Sequence, residues 1–412
     1  MTSTKVSVFA IFLFLLSPLF ADLLFFPENP AIFSNRDYLA IELPITDIEL
    51  MATNDVFTTK EIKRIYNMFQ TDYVLTQDDK DLLIQNDLNI QTYNRASALE
   101  FGKRNWNFAS NIYAFGNLFN LDKDYLDIVL NGIGVGDTSL VQKPLLDDIV
   151  SNLGNESIGM VFLKSIFTYS KLDPIYLYDI FDFTNVDATF YPGFNLNIYN
   201  PAVFAEVSGS SHRIEQDSTL GGVESYEYNI SYRSSASEYT IYGNGFGFGL
   251  GFRMEIERGW LYFSVDDIFN SMIFKEVKLT STKKKIQIDS KDIASDTTIT
   301  IRKSDHTYNL KTTYVMGLEY YFFNDLSLMF KYKDSEYMLD NGLSLGLNYT
   351  LWEKIPFQIF GGQGTTQSYY TFRTGFLSQK FETTASFTFY DGVFAKAKGV
   401  GVGVDLFTIK IY

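Results

Sequence analysis

From about residue 95 to the C-terminus the chain repeats one pattern, an apolar residue at every second position, and this period constrains its fold more than any other feature. In 245–256 the odd positions are Gly245, Gly247, Gly249, Gly251, Arg253 and Glu255, and the even positions are Phe246, Phe248, Leu250, Phe252, Met254 and Ile256. Successive side chains of a strand point to opposite faces, so this run has one apolar face and one small or charged face. Tyr314, Met316, Leu318, Tyr320 and Phe322 alternate in the same way with Gly317, Glu319 and Tyr321. Leu343, Leu345, Leu347 and Tyr349 do so with Ser344, Gly346 and Asn348, and Tyr370, Phe372 and Phe376 with Thr371, Arg373 and Gly375. Phe381, Ala385, Phe387 and Phe389 alternate with Glu382, Thr384, Ser386 and Thr388, and short turns such as Phe323-Asn324-Asp325 join the runs.

Two architectures use such alternation: a soluble sandwich with the apolar face inward, and a membrane barrel with that face toward lipid. Soluble strands average ~5–6 residues, whereas strands that cross a bilayer at a tilt need ~9–11, and these runs are of the longer kind. Their second face carries Gly, Ser, Thr and isolated charges, as a barrel lumen would, and aromatics recur near strand ends, as interfacial girdles require. With 38 Phe and 28 Tyr, and only 20% charged residues, the composition fits the barrel. The expected fold is an all-β transmembrane barrel of antiparallel strands. By the alternation Gly245, Gly247, Gly249, Gly251, Arg253, Glu255, Glu319, Arg373 and Glu382 face the lumen. Unpaired charge on the lipid side would cost roughly 2–4 kcal/mol each at the bilayer midplane. In the last strand, Phe407, Ile409 and Ile411 are out of phase with the terminal Tyr412, so a bulge or a weak insertion signal is expected there.

The stretch 1–21 reads as a cleaved export signal, with Lys5 as its basic start, Val6 to Leu16 as its apolar core and Ala21 at the cleavage position. Residues 22–94 form an N-terminal segment with a first strand and a small helical insertion. Within it Ile62, Ile65, Tyr66 and Phe69 share one helical face. Thr76-Gln77-Asp78-Asp79 resembles a capping box opening a second helix through Leu82, Leu83 and Leu88. A third helical piece is expected at 123–130, and 95–412 make up the remainder of the barrel.

The formal charge of -15 leaves no basic surface to displace counterions from nucleic acid. No cysteine is present, and only His212 and His306 could offer imidazole. Metal and nucleophile sites need convergent ligands at recognisable spacing, so the expectation is a protein that is not an enzyme and holds no metal or cofactor. Gly342-Leu343-Ser344-Leu345-Gly346 matches a nucleophile elbow, but Ser344 sits inside an alternating strand rather than a strand-to-helix turn. The glycines from 243 to 251 lack the strand-loop-helix setting that cradles a pyrophosphate, and are expected to make room for a plug or another backbone. Asp147-Asp148 and Asp266-Asp267 are adjacent pairs whose members would point to opposite faces of a strand, so turns or loop ends are expected. Lys283-Lys284-Lys285, near Lys275 and Lys278, reads as a basic loop, solvated or set over anionic lipid head groups.

Asn29-Pro30-Ala31, the apolar stretch ending in Leu43-Pro44, the helical pair, Tyr125 to Gly132, the glycine-alternating strand at 245–252 and Phe263-Ser264-Val265-Asp266-Asp267 together resemble the FadL-like superfamily of outer-membrane barrels. Among these the sequence is most similar to the branch related to PorV- and TraF-like exported proteins. The resemblance implies about fourteen strands, an N-terminal segment folded into the lumen with Asn29, Pro30 and Ala31 as its plug element, and a path for hydrophobic compounds. It also implies the outer membrane of a diderm bacterium, with outer-membrane lipid as surroundings. The expected function is a channel or transporter for small hydrophobic compounds through a plugged lumen. The alternative is a structural or assembly barrel that anchors an exported partner protein.

Overall fold

The computed structural model describes residues 39–42, 47–54, 57–61, 64, 74, 76–83, 88–103, 105–121, 157–171, 175–176, 188–215, 224–235, 244–256, 258–288, 293–323, 325–335, 339–352, 354–364 and 367–411. The stretch 1–21, Asn29-Pro30-Ala31, the helical piece 123–130 and Asp147-Asp148 lie outside the described residues.

Among the described residues, eighteen stretches of strand join into one sheet. In chain order they are β1 (Leu39–Glu42), β2 (Asp47–Asn54), β3 (Leu88–Lys103), β4 (Trp106–Leu121), β5 (Ser157–Ser170), β6 (Ile175–Tyr176), β7 (Thr189–Glu215), β8 (Glu224–Ser235) and β9 (Asn244–Ile256). There follow β10 (Gly259–Ile288), β11 (Ile293–Tyr308), β12 (Thr313–Phe323), β13 (Leu326–Asp334), β14 (Gly342–Leu351), β15 (Ile355–Gln363), β16 (Ser368–Leu377), β17 (Phe381–Tyr390) and β18 (Gly399–Ile411). Three positions in the wall are each filled by two successive strands. β1 and β2 both lie between β18 and β3, β8 and β9 both between β7 and β10, and β11 and β12 both run beside β10. β6 adds only a short pairing to the start of β7. The wall is thus a closed antiparallel barrel of fourteen strand positions, sealed where β18 meets β1 and β2.

One rim carries tight turns, at Asn105, Arg258, Asp325, Trp352 and Lys354; the strand ends that flank the long connections 122–156 and 216–223 lie at the other. From β13 to β17 the strands are 9 or 10 residues long, the length that crosses a bilayer at a tilt. The outward face is apolar and open: Phe246, Phe248 and Leu250 on β9 and Leu343, Leu345 and Leu347 on β14 are each 45% to 56% exposed. A surface of that extent is stable only against lipid, so this is a transmembrane barrel. Among the described residues no helix is long and apolar enough to cross a membrane.

The local structure departs from the sequence reading in two places. Thr76 and Asp79 do form a reciprocal cap, the Thr76 hydroxyl and amide donating to Asp79 Oδ2 at 2.7 and 2.9 Å, but α1 (Gln77–Leu83) ends at Leu83 and Leu88 already belongs to β3. Where the first helix is expected, a 3-10 turn at Thr59–Glu61 is followed by Arg64 in helical conformation, and Ile62, Ile65, Tyr66 and Phe69 lie outside the described residues. Lys283-Lys284-Lys285 is not a loop: with Lys275 and Lys278 it continues β10, which at 30 residues far outruns the bilayer because β8 and β11 flank it. In β18 the register slips between Thr408 and Asp405, a bulge that lies before Ile409 and Ile411, while Tyr412 is outside the described residues.

Candidate functional site

The interior of the barrel has two layers. On the side of the long connections Met51, Tyr93, Tyr113, Met160, Phe162, Tyr199, Phe204, Met272, Phe274, Val277, Leu310, Tyr369 and Tyr390 form one buried cluster. They come from β2, β3, β4, β5, β7, β10, β16, β17 and the link before β12; Tyr390 Oη of β17, for example, donates to Met51 Sδ of β2 across the intervening β18 at 3.0 Å. Tyr113 stacks on Phe162 with ring centroids 5.4 Å apart, and Phe162 meets Tyr199 edge-on at 6.0 Å. Rings that share a cluster in these offset and edge-on poses gain attraction beyond their buried area.

Tyr199 links that layer to a polar one beneath it. Lys164, 1% exposed, reaches Asp266 Oδ2 and Asp267 Oδ1 at 2.7 Å each. The Asn197 side chain donates to both carboxylates at 2.8 and 3.0 Å, and the Tyr199 hydroxyl donates to Asp267. Asn270 closes the group by donating to the carbonyls of Asp267 and Leu310 and accepting from the Leu310 amide. Two buried carboxylates against one buried ammonium hold together because each carboxylate also accepts from a neutral donor.

The backbone of β10 makes this arrangement possible. Its pairing with β9 slips between Val265 and Ile268 and again between Ile268 and Ser271, one extra residue in each step. Asp267 and Phe269 take left-handed φ values of 59° and 49°. Bulges re-aim side chains. Asp266 and Asp267 therefore both enter the interior, against the expectation that neighbours on a strand diverge, while Phe269 points outward and is 85% exposed. The expectation of a turn or loop end for this pair is corrected: it lies inside a strand.

The glycine row of β9 is explained by the same network. A Cβ on Gly249 would overlap Asp266 Oδ1 and lie 3.2 Å from Asn195, and one on Gly247 would come within 2.9 Å of Tyr199 Oη and 3.0 Å of Asn270 Cβ. Among the described residues, the room that these two glycines leave is taken by side chains of β7 and β10, not by a plug backbone.

Gly245, Gly247, Gly249, Gly251 and Arg253 lie on the face of β9 opposite the exposed Phe246, Phe248 and Leu250. The Arg253 guanidinium sits 4.1 Å from the Trp260 ring and 5.0 Å from the Tyr191 ring. Glu319 is buried nearby and accepts from Ser327 Oγ at 2.7 Å. Glu255 is exposed at the turn rim, beside a cleft of about 690 Å³ lined by Arg258, Trp260, Tyr321 and Phe323. Arg373 and Glu382 belong to a different arc, on β16 and β17, where Glu382 pairs with Lys410 at 2.7 Å. Ser344 accepts its place in β14, buried and donating to the Lys331 carbonyl at 3.4 Å, with no histidine beside it among the described residues. Sequence reasoning missed Lys164, Asn195, Asn197, Tyr199 and Asn270. Its available signal was Lys164 itself, a single charge in the apolar run from Ile158 to Phe167.

No family model matches the chain, and no curated protein does. Among solved structures it is similar to the toluene transporter TodX of P. putida, at 11% identity over 93% of this chain and 90% of that one, with a TM-score of 0.37. It is also similar to the toluene transporter TbuX of Ralstonia pickettii, at 9% identity over 93% and 92%, with a TM-score of 0.40. A TodX variant described as a monoaromatic hydrocarbon channel gives 10% identity over 96% of both chains and a TM-score of 0.44.

Proposed function

We propose that this protein is an outer-membrane channel or transporter that passes small hydrophobic compounds through its lumen. The single observation that carries the proposal is the apolar layer inside the barrel. A water-filled porin lines its lumen with polar groups, whereas here thirteen aromatic and aliphatic side chains converge behind the membrane wall. A layer of this kind has no role in keeping water and ions moving, but it matches an apolar solute that must leave water at one rim. In this reading Asn29, Pro30 and Ala31 form the plug element, and movement of the N-terminal segment opens the path. Gly245, Gly247, Gly249, Gly251, Arg253, Glu255, Glu319, Arg373 and Glu382 line the interior, with Arg253 and Glu319 toward the exit at the turn rim.

A second reading, a structural barrel that anchors an exported protein, is favoured by the filling of the lumen, since the whole apolar layer is buried by its own neighbours. Titration of the detergent-purified full chain with an apolar naphthylamine fluorophore separates the two. Saturable binding that is lost in Met160→Asn and Met272→Asn, with heat-modifiable gel mobility kept, is the expected result. A folded protein that takes up no fluorophore sinks the channel and leaves the anchor.

A further inference from the structure

The barrel wall is uneven at the rim with the long connections. β13 to β17 stop near the bilayer, but β7, β8, β10 and β11 continue together as a four-stranded extension, from the pairing of Ala205 with Ser234 to that of Ile288 with Ile293. Register assigns its two faces. Glu206, Arg233, Leu279 and Arg302 share the inward face, and Glu206 and Arg233 are paired there at 2.5 Å. Val207, Tyr232, Thr280 and Ile301 share the outward face, continuous with the lipid-facing wall below, and one row nearer the bilayer on that face Lys278 stands directly opposite Lys303.

Like charges directly opposite one another on a sheet repel. Neither lysine has an acidic partner among the described residues: Asp305 is taken by Lys275 at 2.6 Å, and Glu276 contacts neither lysine. The pair is also set at a defined height. Phe246, 54% exposed, pairs with Ser271 near the top of the apolar wall, and Lys278 follows seven positions later along β10. At ~3.3 Å per residue along a tilted strand, less the bulges, that places the lysines roughly 10–20 Å beyond the Phe246 row, on the head-group side of the apolar wall. On the next row Tyr232 and Ile301 are exposed side by side with Thr280 between them, an aromatic and an aliphatic surface suited to the faces of sugar rings.

We propose that the outward face of this extension binds the phosphorylated head group of a glycolipid in the leaflet it meets, with Lys278 and Lys303 closing on one phosphate and Tyr232 and Ile301 packing on the adjoining saccharide. The site rests on the barrel's place in the membrane and is independent of what the lumen passes. Basic side chains are the natural partners of anionic head groups, and a phosphate between the two lysines turns their repulsion into shared attraction.

The test uses the full-length protein in detergent, incubated with diphosphoryl lipid A, separated by size exclusion and analysed for retained lipid by mass spectrometry. Wild type retains the lipid, and the K278S/K303S variant retains about tenfold less or lower still, two lysines being removed from an anionic surface. Lys354 and Lys380 are exposed at the opposite rim, and K354S/K380S retains as much as wild type. Both variants keep the heat-modifiable mobility of the folded barrel. The proposal is overturned if K278S/K303S retains the wild-type amount or if dephosphorylated lipid A is held equally well. It is also overturned if inorganic phosphate alone occupies the site with no preference for the lipid, or if a copurifying protein rather than lipid shields the two lysines from acetylation.

Discussion

Lys164 and Asp267 meet at 2.7 Å across the barrel wall, one from β5 and the other from a bulge in β10, at 1% and 0% side-chain exposure. The strands that carry them are not neighbours: β7 and β9 lie between. The contact exists because β9 has glycine where any other residue would stand in its way.

Removing the ammonium alone leaves two buried carboxylates facing each other. Lys164→Met is therefore expected to cost about 3–5 kcal/mol, as breaking one side of a buried ion pair does. Urea titration followed by heat-modifiable mobility measures it. The triple variant K164M/D266N/D267N, which removes the charges together, recovers most of the loss. A K164M barrel as stable as wild type would show that the network does not brace the wall.

The glycine row makes a position-specific prediction. Gly249→Ala places its Cβ against Asp266 and Asn195 and is expected to destabilise by about 1–3 kcal/mol, the usual cost of overpacking. Gly361→Ala meets only Tyr370, at 3.6 Å, an ordinary contact, and is expected to be nearly neutral. Equal urea midpoints for the two variants would refute the steric account.

In the apolar layer, Phe162→Ala opens a void at the point where Tyr113 and Tyr199 both contact the ring. The expected loss of stability is about 3–5 kcal/mol in the absence of ligand. If the lumen binds apolar compounds, a ring of benzene size fills the void and raises the urea midpoint of the variant more than that of wild type. No ligand-dependent gain in the variant counts against binding in this layer.

His306, opposite Phe274 where the lipid-facing wall passes into the rim extension, packs on Phe204 with ring centroids 4.6 Å apart. Burial lowers its pKa below the ordinary histidine value, and the neighbouring Arg233 lowers it further. Because the folded pKa is depressed, the stability it contributes is present above the unfolded value of about 6.5 and is lost as pH falls through that value toward the folded pKa. With only two histidines in the chain, the His306 ring resonance can be followed by nuclear magnetic resonance. Phe204→Ala, by exposing the ring, is expected to move its midpoint upward; an unchanged midpoint would mean that burial is not the cause.

What the sequence by itself determined is the barrel and the identity of its two faces. Period two is a property of neighbouring residues, and in runs such as 314–322 and 343–349 nothing else was needed to separate the exposed row from the inward one. The capping of α1 by Thr76 and Asp79 was legible for the same reason, because it depends on residues three positions apart. Only the tertiary structure decided what the inward row does. That Lys164 of β5 finds Asp266 and Asp267 of β10, that both aspartates turn inward, and that Lys275 to Lys285 extend a strand instead of forming a loop all follow from register between segments distant in sequence. A single extra residue at a bulge inverts the alternation on which sequence reasoning rests, and no local pattern records where that residue is placed.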